Sequence, residues 1–331
     1  MEFVQDYALF LAKGLTILLI ALAVLGAVAS LSQRGRDRGD EQLTVKHLNQ
    51  RYRNMERVLR LRVLGWRALR RHGKEYKRQR KAAAKGLHEE KGRIFVMRFQ
   101  GDIRGTRVDS LREEVSAILT LARPGVDRAV VCLESGGGLV PPYGLAAAQL
   151  ARLRDAGLDL TVAIDRVAAS GGYLMAAVAH RITAAPFAVV GSIGVVAQIP
   201  NIHRLLKRHD VDIELLTAGQ HKRTLTILGK NTPEGRAKFQ QELEETHDLF
   251  KAYLQRYRPQ LDLDTLATGE HWYGEQALEL QLVDELRTSD DLLMALTREH
   301  EVYEVSFSRR QPLGRRIGIA FEQALENLLQ R

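Results

Sequence analysis

Ser170 stands in the stretch Ala168-Ala169-Ser170-Gly171-Gly172-Tyr173-Leu174, where its neighbours are too small to shield the hydroxyl. The apolar run "YLMAAVA" that follows reads as a helix. The serine therefore falls at a helix start, where N–H groups and the dipole favour a developing oxyanion. A small polar residue there is otherwise a plain cap. As a nucleophile, Ser170 needs a group to take its proton. "A-x-S-G-G" is not the Gly-x-Ser-x-Gly elbow of hydrolases with a Ser-His-Asp triad, so no histidine base is implied. His180, His203 and His209 lie near charged helix ends, where solvated or capping roles are the default. His221 adjoins Lys222, and a lysine is a general base only where its site desolvates the ammonium. An exposed lysine is the plainer alternative.

The glycine run "SGGGLVPPYG" from Ser135 to Gly144 is the second feature with chemical capacity. It lacks the Lys-Ser/Thr of a P-loop and the spacing of a dinucleotide fingerprint. Adjacent glycines can instead offer N–H groups to the oxyanion formed when a nucleophile attacks a carbonyl. An ordinary tight turn is the alternative.

The elements that must position these residues lie in the body of the chain, residues 91–310. Short β-rich runs alternate with helical ones: "RIFVMRF", "VDSLREEVSAILTLA", "RAVVCLE", "YGLAAAQLARLRDAG" and "LTVAID". That order is the signature of an α/β fold with parallel strands. Both glycine turns then sit at the carboxyl ends of strands, where such folds hold ligands. "ITAAPFAVVGSIGVVAQIP" is interrupted by Pro186, Gly191 and Gly194, and reads as two short buried strands around a turn. "VDIELLTAG" is expected to be a strand leading to Lys222. Thr232-Pro233 supplies an N-cap and first-turn proline for a long helix toward Arg258, and "LVDEL" reads as a closing strand.

At 331 residues with 45% hydrophobic content the chain can bury a full core. The net charge of +9 is local: residues 32–90 hold 18 Lys and Arg against 7 Asp and Glu, and the rest is near neutral. That segment reads as a basic helical stalk beside anionic head groups. No aromatic interleaving or recognised module supports nucleic-acid binding. The single cysteine, Cys132, forbids an intrachain disulfide and suits a buried small hydrophobe. Residues 14–31 carry no charge and, with the apolar "ALFLA" before Lys13, are long enough to span a bilayer. Ala27-Val28-Ala29 has the form of a signal-peptide cleavage site, but Glu2, Asp6 and the arginines at 34, 36 and 38 favour an uncleaved anchor. The same arginines favour a cytoplasmic body. Residues 311–331 read as an amphipathic helix, for packing or for assembly.

Five motifs in order, "VAASGGY", "APFAVVGSIGVVAQ", "TAGQHKRTLT", "NTPEGRAKF" and "TGEHWYGEQA", resemble the SohB branch of the signal-peptide-peptidase family of membrane serine proteases. The resemblance spans about residues 93–305, and the anchor and basic stalk fit it. It implies the fold shared by Clp protease and crotonase, a serine protease domain over residues 91–310, and a Ser-Lys dyad with Ser170 as nucleophile and Lys222 as base. Ser192 then matches the residue that orients the lysine. "ESGGG" matches the oxyanion turn, placing a donor on Gly137, with the Gly171 amide as the second. The family's proline in that turn is Gly136 here, which loosens the turn in the unfolded chain. Further expectations are no metal or cofactor and extended apolar peptide substrates, membrane-protein or signal-peptide fragments among them. A single-pass anchor in the bacterial inner membrane and assembly into a homo-oligomeric ring are also implied. Family precedent places the catalytic domain outside the cytoplasm, against the arginine count. The competing readings are a crotonase-type acyl-CoA enzyme, using the same glycines without a serine nucleophile, and a catalytically silent membrane scaffold.

Overall fold

Arg93–Gln100 (β2) and Arg128–Ser135 (β3) are apolar on both faces, so each must be covered twice. In the computed structural model, which describes residues 41–63, 92–219 and 221–309 with Lys13, Gly14 and Thr16, they are. Phe95, Met97 and Phe99 face the larger core beneath Val108–Leu119 (α2), Val140–Asp155 (α3) and Gly171–Ala177 (α4). Ile94, Val96, Val130 and Cys132 face a smaller core closed by Leu48 of Leu48–Val63 (α1) and by Leu292 and Leu293 of Ser289–Glu299 (α9). Cys132 is a free, buried thiol, and burial pushes its pKa up to about 11, so it behaves as a hydrophobe.

The sheet adds Glu41–His47 (β1), Asp159–Ala169 (β4), Arg181–Ala184 (β5), Val189–Gly191 (β6), His271–Tyr273 (β7), Glu285–Leu286 (β8) and Glu301–Arg309 (β9). Its order is β1-β9-β2-β3-β4-β5-β8, with β6 also paired to β4. The pairings β2–β3, β2–β9, β3–β4, β4–β5, β4–β6 and β5–β8 are all parallel. The added pair β6–β7 runs antiparallel, so the sheet is mixed. Strand β4 divides its length between two neighbours: Thr161–Ile164 pairs β5 and Val167–Ala169 pairs β6. The register with β3 slips between these halves, from Leu133↔Ile164 to Ser135↔Ala168. Such an irregularity re-aims the end of a strand. Ser170 is the residue that follows.

Two expectations are corrected. Within the expected helical stalk, Glu41–His47 is a strand beside β9, and Leu48 and Asn49 are buried. Asn49 donates to Thr297 O and His300 O at 2.9 and 2.8 Å and accepts from Val302 N at 2.8 Å. The partners lie some 250 residues away, so a local reading of the charge run misses the docking. Val211–Gly219 forms no strand, because no neighbour pairs with it; Val211, Ile213, Leu215 and Leu216 are exposed. The long helix is as expected: Thr232 Oγ1 accepts from Gly235 N at 3.1 Å and caps Pro233–Tyr257 (α6). The expected anchor lies almost wholly outside the described residues, and the C-terminal helix wholly so. Among the described residues no helix is long and apolar enough to cross a membrane. Residues Thr44–Ser306 form one compact unit; the other, Met1–Leu43 with Phe307–Arg331, is described only at Lys13, Gly14, Thr16 and the ends of β1 and β9.

At the amino end of the sheet Asp127 is fully buried between Arg93 and Arg123. Its carboxylate accepts the backbone N–H of both at 2.8 and 2.9 Å, and both guanidinium groups. Burial alone would raise this carboxyl, but the donors of Arg123 and Arg93 outweigh it and hold the group well below the usual carboxylate range. The stabilisation is therefore complete above the unfolded-chain value near 4 and is lost as pH falls through the lower native value. Asp127→Asn is expected to cost about 3–5 kcal/mol at pH 7, since it removes the buried charge that two guanidinium groups share, with the gap to wild type shrinking below pH ~4. Urea unfolding at pH 7 and pH 3 checks it.

Candidate active site

Ser170 has φ 52° and ψ −120°, a conformation that L-residues rarely adopt and that costs about 1–3 kcal/mol. Its surroundings impose it. Ser170 N donates to Gly191 O of β6 at 2.8 Å, and Leu174 N donates back to Ser170 O at 3.0 Å as α4 begins. The side chain makes no capping bond, so the hydroxyl is not spent on the helix. The two glycines that follow are obligatory: a Cβ on Gly171 would lie 2.6 Å from Tyr143 Cγ, and one on Gly172 2.4 Å from Ser135 O.

The glycine turn is pressed against this elbow. Gly137 has φ 88°, and a Cβ there would lie 2.7 Å from Gly171 N and 2.8 Å from Ser170 Cβ. The turn and the serine, 33 positions apart in sequence, thus meet at the carboxyl ends of the parallel strands β3 and β4. Gly137 N donates to Ser135 Oγ at 3.1 Å, and Leu139 N to Ile103 O at 2.9 Å. The Gly138 N–H has no protein partner among the described residues. The next helix, α3, starts immediately after the turn, fixed by proline in its first turn.

Ser192 is placed one residue beyond the acceptor of the Ser170 N–H. It has φ 50° and donates its own N–H to Glu270 O, while Trp272 packs on Gly191. Lys222 lies elsewhere in the chain's order, exposed, on a turn where its N–H meets Gly219 O at 3.2 Å. Four residues on, the segment is anchored: Asn201 Nδ2 donates to Thr226 O, and Asn231 Oδ1 accepts from Thr226 N. Ser170, Gly137, Gly171 and the backbone of Ser192 are therefore brought together. No hydrogen bond joins the Lys222 side chain to Ser170 or Ser192 among the described residues.

Sequence reasoning missed the residues that hold the turn. Tyr143, almost fully buried, donates from Oη to Asp102 O at 2.9 Å and lies 2.6 Å from Ser135 Oγ. Its signal was a lone aromatic directly after the glycines and two prolines.

An α/β sheet that delivers an uncapped, strained serine and a glycine turn to one strand end is the framework of a hydrolase. Residues 2–150 match the family described as Peptidase family S49 N-terminal and residues 152–303 match Peptidase family S49. The chain belongs to peptidase family S49, and within it is SohB-like. It is 46% identical over 348 aligned residues to the probable protease SohB of Haemophilus influenzae, covering 100% of this chain and 96% of that one. It is 41% identical to the probable protease SohB of Buchnera aphidicola subsp. Schlechtendalia chinensis, covering 89% and 100%. A solved mutant of the 1510-N membrane-bound stomatin-specific protease aligns at 12% identity and TM-score 0.36, over 62% of this chain and 84% of that one. Gly137→Ala, which puts a methyl group against the elbow at positive φ, is expected to lower peptide hydrolysis at least ~100-fold with circular dichroism unchanged. Steady-state assay of the purified variant checks it.

Proposed function

We propose that the chain is a serine endopeptidase that uses a Ser-Lys dyad, Ser170 as nucleophile and Lys222 as general base. The observation that carries this reading is the Ser170 elbow: a hydroxyl freed from capping, at positive φ, with a glycine turn packed on it. Uncharged Lys222 takes the Ser170 proton as Oγ attacks a peptide carbonyl, then gives it to the leaving amine. Ser192, held beside the elbow by β6 and the Glu270 carbonyl, orients the amine. Gly171 N–H and the glycine turn at Gly137 hold the tetrahedral oxyanion. Because the Gly137 N–H is engaged with Ser135, we assign the turn's donor to the next amide, Gly138 N–H.

Lys222 is exposed in the single chain, and a base lysine needs desolvation. In our reading the bound peptide and a second copy of the chain cover it. Phe187, Val196 and Leu216, 82%, 91% and 89% exposed, supply apolar surface for such a homo-oligomer. Residues 8–31 anchor the domain in the bacterial inner membrane, and the substrates are extended apolar segments of membrane proteins or signal peptides.

Hydrolysis of a fluorogenic apolar peptide by the purified chain tests the dyad. Ser170→Ala and Lys222→Ala are each expected to cut turnover by at least ~1000-fold, and the wild-type rate to rise with pH, because only the uncharged amine accepts a proton. Turnover at the wild-type rate in either variant overturns the assignment.

A further inference from the structure

The catalytic reading leaves one buried polar chain unused. Ser135 and Tyr143 are 2% and 1% exposed, and their hydroxyl oxygens lie 2.6 Å apart. Donor counting orders the protons. Tyr143 has one, and it goes to the Asp102 carbonyl, which can only accept. Ser135 must then donate to Tyr143, and its oxygen accepts the Gly137 N–H. The direction is fixed throughout: Gly137 N–H to Ser135 Oγ, Ser135 to Tyr143 Oη, Tyr143 to Asp102 O. Hydrogen bonds aligned this way reinforce one another. A Cβ on Gly101 would lie 2.3 Å from Tyr143 Oη and 2.4 Å from Ser135 Oγ, so the surrounding backbone is closed over the chain. Burial pushes the Tyr143 phenol up, which keeps its proton in place.

The same tyrosine touches the other half of the site. Its ring carbon Cγ and its Cβ back Gly171, where a methyl group would lie 2.6–2.8 Å away. One side chain thus sets both the glycine turn, through its hydroxyl, and the residue after the nucleophile, through its ring. With three consecutive glycines and no proline, the turn has little stiffness of its own.

We propose that Tyr143 and Ser135 are positioning residues of the catalytic centre: their hydrogen-bonded chain sets the spacing between the glycine turn and the Ser170–Gly171 elbow, and hence the fit of the two to the substrate oxyanion. The proposal rests on the serine-protease reading above. Its test is Tyr143→Phe, which keeps the ring on Gly171, and Ser135→Ala, which removes the acceptor, both in the purified full chain. Each variant is measured for peptide hydrolysis and for inhibition by a peptide aldehyde, whose serine adduct carries the oxyanion, and by the matching peptide alcohol, which forms none.

The expected result is a fall in kcat of about 10–100-fold with KM changed less than twofold, because the loss falls on transition-state stabilisation. Aldehyde affinity falls by a similar factor, alcohol affinity does not, and both variants remain folded at the assay temperature. Wild-type kcat in both variants overturns the proposal, as does equal weakening of aldehyde and alcohol, which marks general collapse of the pocket. Ser170→Ala in the same series separates the two levels. If it hydrolyses at the wild-type rate, the serine-protease reading fails and takes this proposal with it. If it is inactive while Tyr143→Phe and Ser135→Ala match wild type, only the positioning role fails.

Discussion

The backbone of Ser170 is the constraint on which the site depends. A residue at φ 52°, ψ −120° does not stay there unless the structure around it over-determines the conformation. Here β6 takes the Ser170 N–H, α4 takes the carbonyl, and Gly137, Gly171 and Gly172 leave room for only one path. The register slip between β3 and β4 brings the chain to this point, and the division of β4 between β5 and β6 supplies the acceptor. Strand geometry, glycine content and exposure of the hydroxyl are thus parts of one arrangement.

Below α4 a second set of bonds resists movement of the elbow. Tyr173, fully buried one turn after Ser170, donates to Leu282 O at 2.9 Å. Arg258, at the end of α6, pairs with Asp284 through two bonds of 2.8 Å and also meets Gln281 O. Asp284 in turn accepts from Ile182 N of β5. The long helix, the 281–284 loop and the sheet are tied together directly under the helix that carries the serine.

Most of this framework was legible from the chain. The alternation of "RIFVMRF", "RAVVCLE" and "LTVAID" with helical runs located β2, β3, β4, α2 and α3, because strands covered on both faces carry near-continuous apolar runs. Thr232-Pro233 located the start of α6, because a cap and a first-turn proline are local chemistry. Ser170 and the glycine turn were visible as residue types. Their meeting was expected only from the family resemblance, and the register slip between β3 and β4 beside it was not visible. Strand β1 and the buried Asn49 were hidden in a basic segment whose pairing partner lies at the far end of the chain. "VDIELLTAG" alternates as a strand does, yet alternation alone forms none without a neighbour to bond. Ser135 and Tyr143 escaped although both lie in the quoted glycine run, because nothing in the run shows that their side chains meet. Their role comes from two oxygens meeting inside the fold.

The central claim is that Ser170 is a nucleophile whose reactivity depends on Lys222. Mass spectrometry of the purified chain after reaction with a fluorophosphonate probe tests it most directly. The account predicts one adduct, mapped to Ser170, formed in the wild type and lost in Lys222→Ala. An adduct confined to another residue, or labelling of Ser170 undiminished without Lys222, would contradict it.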